Sequence, residues 1–568
     1  MLRLLYICVL FVCILPMIPG IAGVLLSAFS YIPPLGLTQL SFTGFDSVFN
    51  WNGVWFSIGL TLFTSLFSSY FACLITFAIL QCCWQQKGWK RIEWVLSPLL
   101  AMPHVAFAIG FAFLFSPTGM GARLLSAVLG NEWLADGSEL SWLVKDPYGI
   151  GLALALAVKE VPFLLLMSMP ILSQLKIDQT TKVSASLGYS QHQMWWKCIF
   201  PQWFSKMRFP MLAVIAYSLS VVDVALIIGP TNPPTFSVLV WQWFNEPDLS
   251  QLPRAAAGAV ILLLIASALI AFARLIEFVI TKQWRTWQYS GRYGLQLPGM
   301  SLFTVVLSIS ALIVPIMVLW SFAQRWRFPD LLPSTFSQRF WSLEWSNVIP
   351  TINDSILIAV ISASIALLLA VIGHEYRMKY RIQVPGYIIA LPMLIPQLSI
   401  LFGLQVMTLF LSSNSYLLWV IWSHVFFAFP FVYLALDGPW RSYDQGYMRT
   451  ALSLGKSPIR AWISVKLPIL FSALTFAWAV GASVSLTQYL PTLMLGAGRI
   501  STITTEAVAL SSGFDRRVTA IYAIWQTLLP LVFFGFAILI SRYKRRPSLS
   551  LLNNSGSNES LSKKPRHP

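Results

Sequence analysis

Five ionisable side chains lie inside stretches that are otherwise apolar: His104, Lys159, Glu160, Asp223 and His424. A charge in hydrocarbon is costly, so such groups face protein or a water-filled path and mark routes for solutes or protons. Lys159 and Glu160 are adjacent, which on a helix turns them about 100° apart. That spacing suits pairing with neighbouring helices better than pairing with each other. Asp223, in SLSVVDVALIIGP on the fifth apolar run, stands out, and the comparable later stretch SVSLTQYLP offers Thr487 and Gln488. A single carboxylate there favours a cationic or polar solute. None of this is catalytic chemistry. The sequence has no G-x-x-x-x-G-K-[ST] phosphate loop, no H-E-x-x-H, no nucleophile elbow and no paired-cysteine redox motif. The expectation is a protein that is not an enzyme and needs no cofactor or metal. If it drives active transport, ATP is bound and hydrolysed by a partner. Cys8, Cys13, Cys73, Cys82, Cys83 and Cys198 show no zinc-type spacing and read as reduced, structural thiols.

The elements that must hold these groups follow from composition. Of the 568 residues, 57% are hydrophobic and only 10% charged, with a mean hydropathy of +0.70. Soluble domains carry about 25% charged residues, so a water-soluble globule is excluded. The fold class expected is an all-α polytopic membrane protein. A helix crossing a bilayer needs about 20 apolar residues. Spans are expected near 4–28, 54–80, 93–115, 148–172, 209–229, 255–280, 300–322, 352–372, 386–411, 416–436, 469–490 and 518–541, about twelve in all. The first run is too long for a signal-peptide core and reads as a retained anchor.

The net charge of +17 sits in the loops. Loops on the side of the termini hold 28 Lys and Arg, against 8 on the other side. By the positive-inside rule both termini are cytoplasmic and the excess charge sets orientation. The distribution excludes a nucleic-acid footprint. Residues 546–568 are polar and are expected to form a disordered cytoplasmic tail.

Two polar inserts interrupt the apolar runs. In KVSASLGYSQHQMWWKCIFP (182–201) and RTALSLGKSPIRAWISVKLP (449–468), Ser-Leu-Gly recurs at 186–188 and 453–455. A tryptophan follows seven residues after the glycine (Trp195, Trp462) and a proline thirteen after it (Pro201, Pro468). PHVAFAIG (103–110) likewise matches PQLSILFG (396–403), and VPFL (161–164) matches FPFV (429–432). An ordered series of matches indicates an internal repeat. It predicts two pseudo-symmetric six-helix units, residues 1–290 and 291–545. Each insert is expected to form a short helix, a glycine turn at φ > 0, and a second helix carrying the tryptophan. The proline then starts the next membrane helix.

Each insert resembles the EAA loop of ATP-binding-cassette importer permeases, whose pattern is E-A-A, three residues, G, nine residues, I, any, L, P. Gly188 and Gly455 take the glycine, and Pro201 and Pro468 the proline. Ser184 and Ala451 take the second alanine, while Lys182 and Arg449 stand where the family has its glutamate. The likeness covers both halves and is nearest to fused two-unit permeases of the ferric-iron and thiamine type. It implies that both loops seat on a cytoplasmic ABC ATPase, two copies in all, and that a periplasmic solute-binding protein delivers solute. Residues 230–253 and 491–515 are the expected contacts of that binding protein. It also implies a bacterial inner-membrane location and, since the fifth spans of that family line the translocation pathway, makes Asp223, Thr487 and Gln488 candidate lining of that path. The alternative reading is an ion-coupled secondary transporter with two six-helix repeats, whose driving acids would be Glu160 and Asp223.

Overall fold

In the computed structural model the described residues are 2–84, 86, 88–130, 143–283, 286–380, 386–389, 391–409, 415–513 and 515–555. They are helical almost throughout, apart from a small antiparallel ribbon pairing Ala323–Arg325 with Thr335–Phe336. Among the described residues, ten helices are long and apolar enough to cross a membrane. The all-α polytopic membrane architecture therefore holds. Two expected spans appear as shorter apolar helices, Arg208–Ser220 and Gln397–Thr408.

Prolines and interruptions account for the difference. The span expected at 93–115 is broken at Met102–Pro103 into Trp89–Ala101 and His104–Phe115. The one expected at 386–411 contributes Leu391–Leu394 and Gln397–Thr408, parted by Pro396. Proline lacks the N–H that continues a helix. The fifth spans of both halves are also broken, into Arg208–Ser220 and Asp223–Ile228, and into Leu467–Leu486 and Leu490–Leu495. The last helix, Arg516–Ser555, runs past the boundary expected at 546, and residues 556–568 of the expected tail lie outside the described residues.

The first long helix of each half packs on the other half. Met17–Ala28 lies against Gln397–Thr408 of the second half and against Leu252–Phe278. Gly299–Phe322 repeats this in mirror fashion, against His104–Phe115 of the first half and against the last helix. Glycines from the repeated P-x₆-G motif sit at both crossings. A Cβ on Gly403 would fall 1.6 Å from the Gly20 carbonyl oxygen, and one on Gly110 would fall 2.3 Å from Ile313 Cγ2. A larger residue would have to displace the backbone of the Met17–Ala28 helix at Gly403 and the Ile313 side chain at Gly110. The buried core runs continuously through both halves, from Met17 to Phe533.

Candidate functional site

The two polar inserts have the same local structure, and their sequences dictate it. Helices Ile177–Ser186 and Gly446–Ser453 each end on a left-handed glycine, Gly188 at φ 77° and Gly455 at φ 80°. The terminal carbonyls are satisfied in the same way. Tyr189 N donates to Ser184 O (3.0 Å) and Gly188 N to Ala185 O (3.0 Å); Lys456 N donates to Ala451 O (3.2 Å) and Gly455 N to Leu452 O (3.0 Å). This is the Schellman arrangement, which needs φ > 0 after the helix end. A second helix then starts at Gln191 or Pro458 and opens into a wider π-helical turn over Trp195–Ile199 or Trp462–Lys466. A capping box between Ser190 and Gln193 starts the first of these. Pro201 and Pro468 each stand in the first turn of the helix that follows, Phe200–Lys206 and Leu467–Leu486. These features recur at a constant separation of 267 positions.

Burial repeats as well. Ser184 and Ala451 are buried, whereas Lys182 and Arg449 point outward and form no ion pair among the described residues. Leu187 and Leu454, just ahead of the turn glycines, are 62% and 77% exposed. Val183 in the first loop and Leu452, Ile459 and Ile463 in the second are exposed too. Apolar side chains are thus exposed beside polar residues in both loops, the kind of surface on which partners dock. Covering a leucine fully is worth about 1.5–3 kcal/mol.

Trp195 is buried against Phe77, with ring centroids 6.1 Å apart. Trp462 is half-buried, and its indole nitrogen donates to Glu375 Oε1 at 3.1 Å. The same oxygen accepts from Lys466 Nζ at 2.5 Å and from Trp440 Nε1 at 3.3 Å. Lys466 is 4% exposed at its side chain and lies over the rings of Trp440 and Tyr443, 5.2 and 5.1 Å from their centroids. Burial and the Glu375 carboxylate raise the pKa of the Tyr443 phenol. Glu375 and Lys466 were not among the residues singled out by sequence. The only signal was the charged run HEYRMKY closing an apolar span.

The broken fifth spans contain the candidate pathway residues. Hydroxyl groups from the next helix take up backbone carbonyls beside each break: Ser237 donates to Val221 O (2.9 Å) and Thr504 to Leu486 O (2.5 Å). Non-helical backbone at membrane depth requires such partners. Asp223 is half-buried at the start of its short helix, its Oδ1 accepting from Val224 N at 2.9 Å. It lies within electrostatic reach of His104, Tyr217 and, from the second half, Tyr489. His104 Nε2 is 3.1 Å from Glu160 Oε1, and Lys159 turns away to donate to Leu99 O at 3.0 Å. Both thus pair with neighbouring helices, as their adjacency demands. The short helices put Leu490, not Thr487 or Gln488, in register with Asp223. Thr487 bonds back to Val484 O at 2.8 Å, Gln488 is buried in the break, and no hydrogen bond among the described residues joins either to Asp223. His424 spans the second break, bonded to Ser485 (2.7 Å) and Thr492 (2.9 Å).

No family model matches the chain. A curated relative does: the chain is 32% identical over 489 residues, 85% of its own length and 87% of the other's, to the inner membrane ABC transporter permease protein YnjC of Escherichia coli (strain K12). The chain belongs to the ABC transporter permeases. A permease of this family is a membrane subunit that works with separate ATPase subunits and is not itself an enzyme.

Proposed function

We propose that this permease is a fused two-unit subunit of an importer, residues 1–290 and 291–545 forming the two six-helix units around one solute path. It lies in a bacterial inner membrane with both termini cytoplasmic. Its two polar loops seat on two copies of a cytoplasmic ATPase that binds the ATP, and a periplasmic binding protein delivers solute. The single observation that carries this reading is the exact repetition of the loop, with Leu187 and Leu454 exposed at the same turn of the same Schellman motif. The break in each fifth span lies downstream of its loop, so movement of the loop reaches Asp223 through Phe200–Lys206 and Arg208–Ser220, and Gln488 through Leu467–Leu486. A secondary transporter would have no use for two such loops.

The test is purification of the full chain from its own membrane in mild detergent. It should bring down an ATPase in a ratio of about two per permease, and uptake in vesicles should follow internal ATP. Uptake that instead collapses with the ion gradient, with no ATPase bound, would establish the secondary-transporter alternative.

A further inference from the structure

Although the two loops match, they are not held alike. Around the second loop the anchor is internal, Glu375 gripping Lys466 and Trp462. Around the first loop the corresponding work is done by the segment that joins the two halves. Trp196 Nε1 donates to Leu295 O (2.8 Å), Gln193 Nε2 to Arg292 O (2.5 Å) and Lys197 Nζ to Ser290 O (2.9 Å) and to Trp287 O. The Arg292 guanidinium returns a hydrogen bond to Gly188 O at 3.3 Å and covers the Tyr189 ring, 5.6 Å from its centroid. Gly294 is pressed so closely on the Gln193 backbone that a Cβ would lie 2.6 Å from Gln193 N. Gln81 ties this segment to the first bundle, donating to Leu295 O (3.0 Å) and accepting from Leu297 N (3.1 Å).

The strap lies along a flank that is bare in the second loop. Ile459 and Ile463 there are 68% and 54% exposed, whereas their counterparts His192 and Trp196 are half-buried. On its outer side the strap carries Tyr289 and Tyr293, 76% and 64% exposed.

We propose that the joining segment, residues 286–297, forms part of the first ATPase-docking surface, its two tyrosines standing in for the isoleucines that the second loop offers. The two ATPase copies then meet unequal surfaces, one built from a single loop and one from a loop plus strap. The proposal rests on the reading of the loops as ATPase seats. Continuity of the strap with the exposed Leu187 turn, through Arg292, is what commits it to the same partner. Aromatic side chains with a polar tip suit a protein interface.

The test uses the complete permease with the ATPase that co-purifies with it. The photocrosslinking residue p-benzoylphenylalanine replaces Leu187, Leu454, Tyr289 or Tyr293, one at a time, and adducts are identified by mass spectrometry. Adducts to the ATPase from all four positions are expected. If Leu187 and Leu454 crosslink to the ATPase while both tyrosine positions crosslink to phospholipid or to nothing, the strap proposal is wrong and the loop reading stands. If none of the four reaches the ATPase, both fall.

Discussion

Gln81 and Glu375 stand at the same station on equivalent helices. Thr61 accepts from Phe236 N (2.8 Å) and Ser355 from Ile503 N (2.9 Å), and counting twenty residues on from each leads to Gln81 and to Glu375. Both side chains brace a loop, but by different chemistry: a neutral amide that holds the joining strap, and a carboxylate that holds a buried lysine directly.

That difference predicts unequal sensitivity. Removing the Glu375 carboxylate leaves the Lys466 ammonium buried without a counter-ion, which costs about 3–5 kcal/mol. Glu375→Ala should lower the thermal midpoint of the detergent-solubilised protein markedly, and adding Lys466→Met should restore much of it. Gln81→Ala should have the smaller effect. Equal midpoints for Glu375→Ala and wild type would remove the anchor from the account.

The exposed leucines supply a second prediction. Leu187→Asp and Leu454→Asp change surface positions, so membrane insertion and thermal midpoint should stay near wild type. Loss of about 1.4 kcal/mol of apolar contact weakens association tenfold. ATPase retention on the purified permease should therefore fall by at least about that factor for each variant. Undiminished retention would show that these leucines face something else.

The charges ahead of the turns give a third. With Lys182 and Arg449 facing outward and unpaired among the described residues, acidic groups on the ATPase are their expected complement. Lys182→Glu and Arg449→Glu together should weaken co-purification, and raised salt should weaken the wild-type complex in the same direction. Intact co-purification with intact transport would rule the contact out.

Backbone strain gives a fourth. Valine at Gly188 or Gly455 must adopt φ near +80°, which costs a side-chain-bearing residue about 1–2 kcal/mol. Gly188→Val and Gly455→Val should leave ATP hydrolysis by the complex running while solute uptake drops, because the loop no longer holds the shape that transmits movement. Normal coupling in both variants would count heavily against a mechanical role for the turns.

A fifth concerns the helix crossings. Gly403→Ala puts a methyl group against the Gly20 carbonyl, and overpacking of this kind costs about 1–3 kcal/mol. The midpoint should fall, whereas Gly59→Ala, with open space around it, should be neutral. Equal behaviour of the two would mean that the crossing relaxes freely.

Much of this was legible in the residues. The glycine-to-proline spacing of thirteen predicted a shared loop shape, and the turn at φ > 0 follows from Gly188 and Gly455 alone. Apolar runs located nearly all the helices, and the prolines at 103 and 396 marked two of the breaks. The break at 221–222 was not legible, since no proline or glycine signals it, and the one at 487–489 is marked only by Pro491 in the first turn of the next helix. They depend on hydroxyls of Ser237 and Thr504 that arrive from later in the chain. The register of Asp223 with Leu490, in contrast, follows from the same separation of 267 positions that relates the two loops. The strap was hidden because its grip is made largely through backbone carbonyls, which carry no side-chain identity to read.

The exchange of first helices also bears on how the protein is made. The groove of the His104–Phe115 helix that Gly110 keeps open is filled by Ile313, more than two hundred residues downstream. During synthesis the first bundle therefore waits with an unclosed wall until the Gly299–Phe322 helix enters the bilayer, while Met17–Ala28 waits still longer for Gln397–Thr408. Neither bundle can be finished before the other is begun, so cutting the chain between them would yield two fragments that ripen only in each other's company.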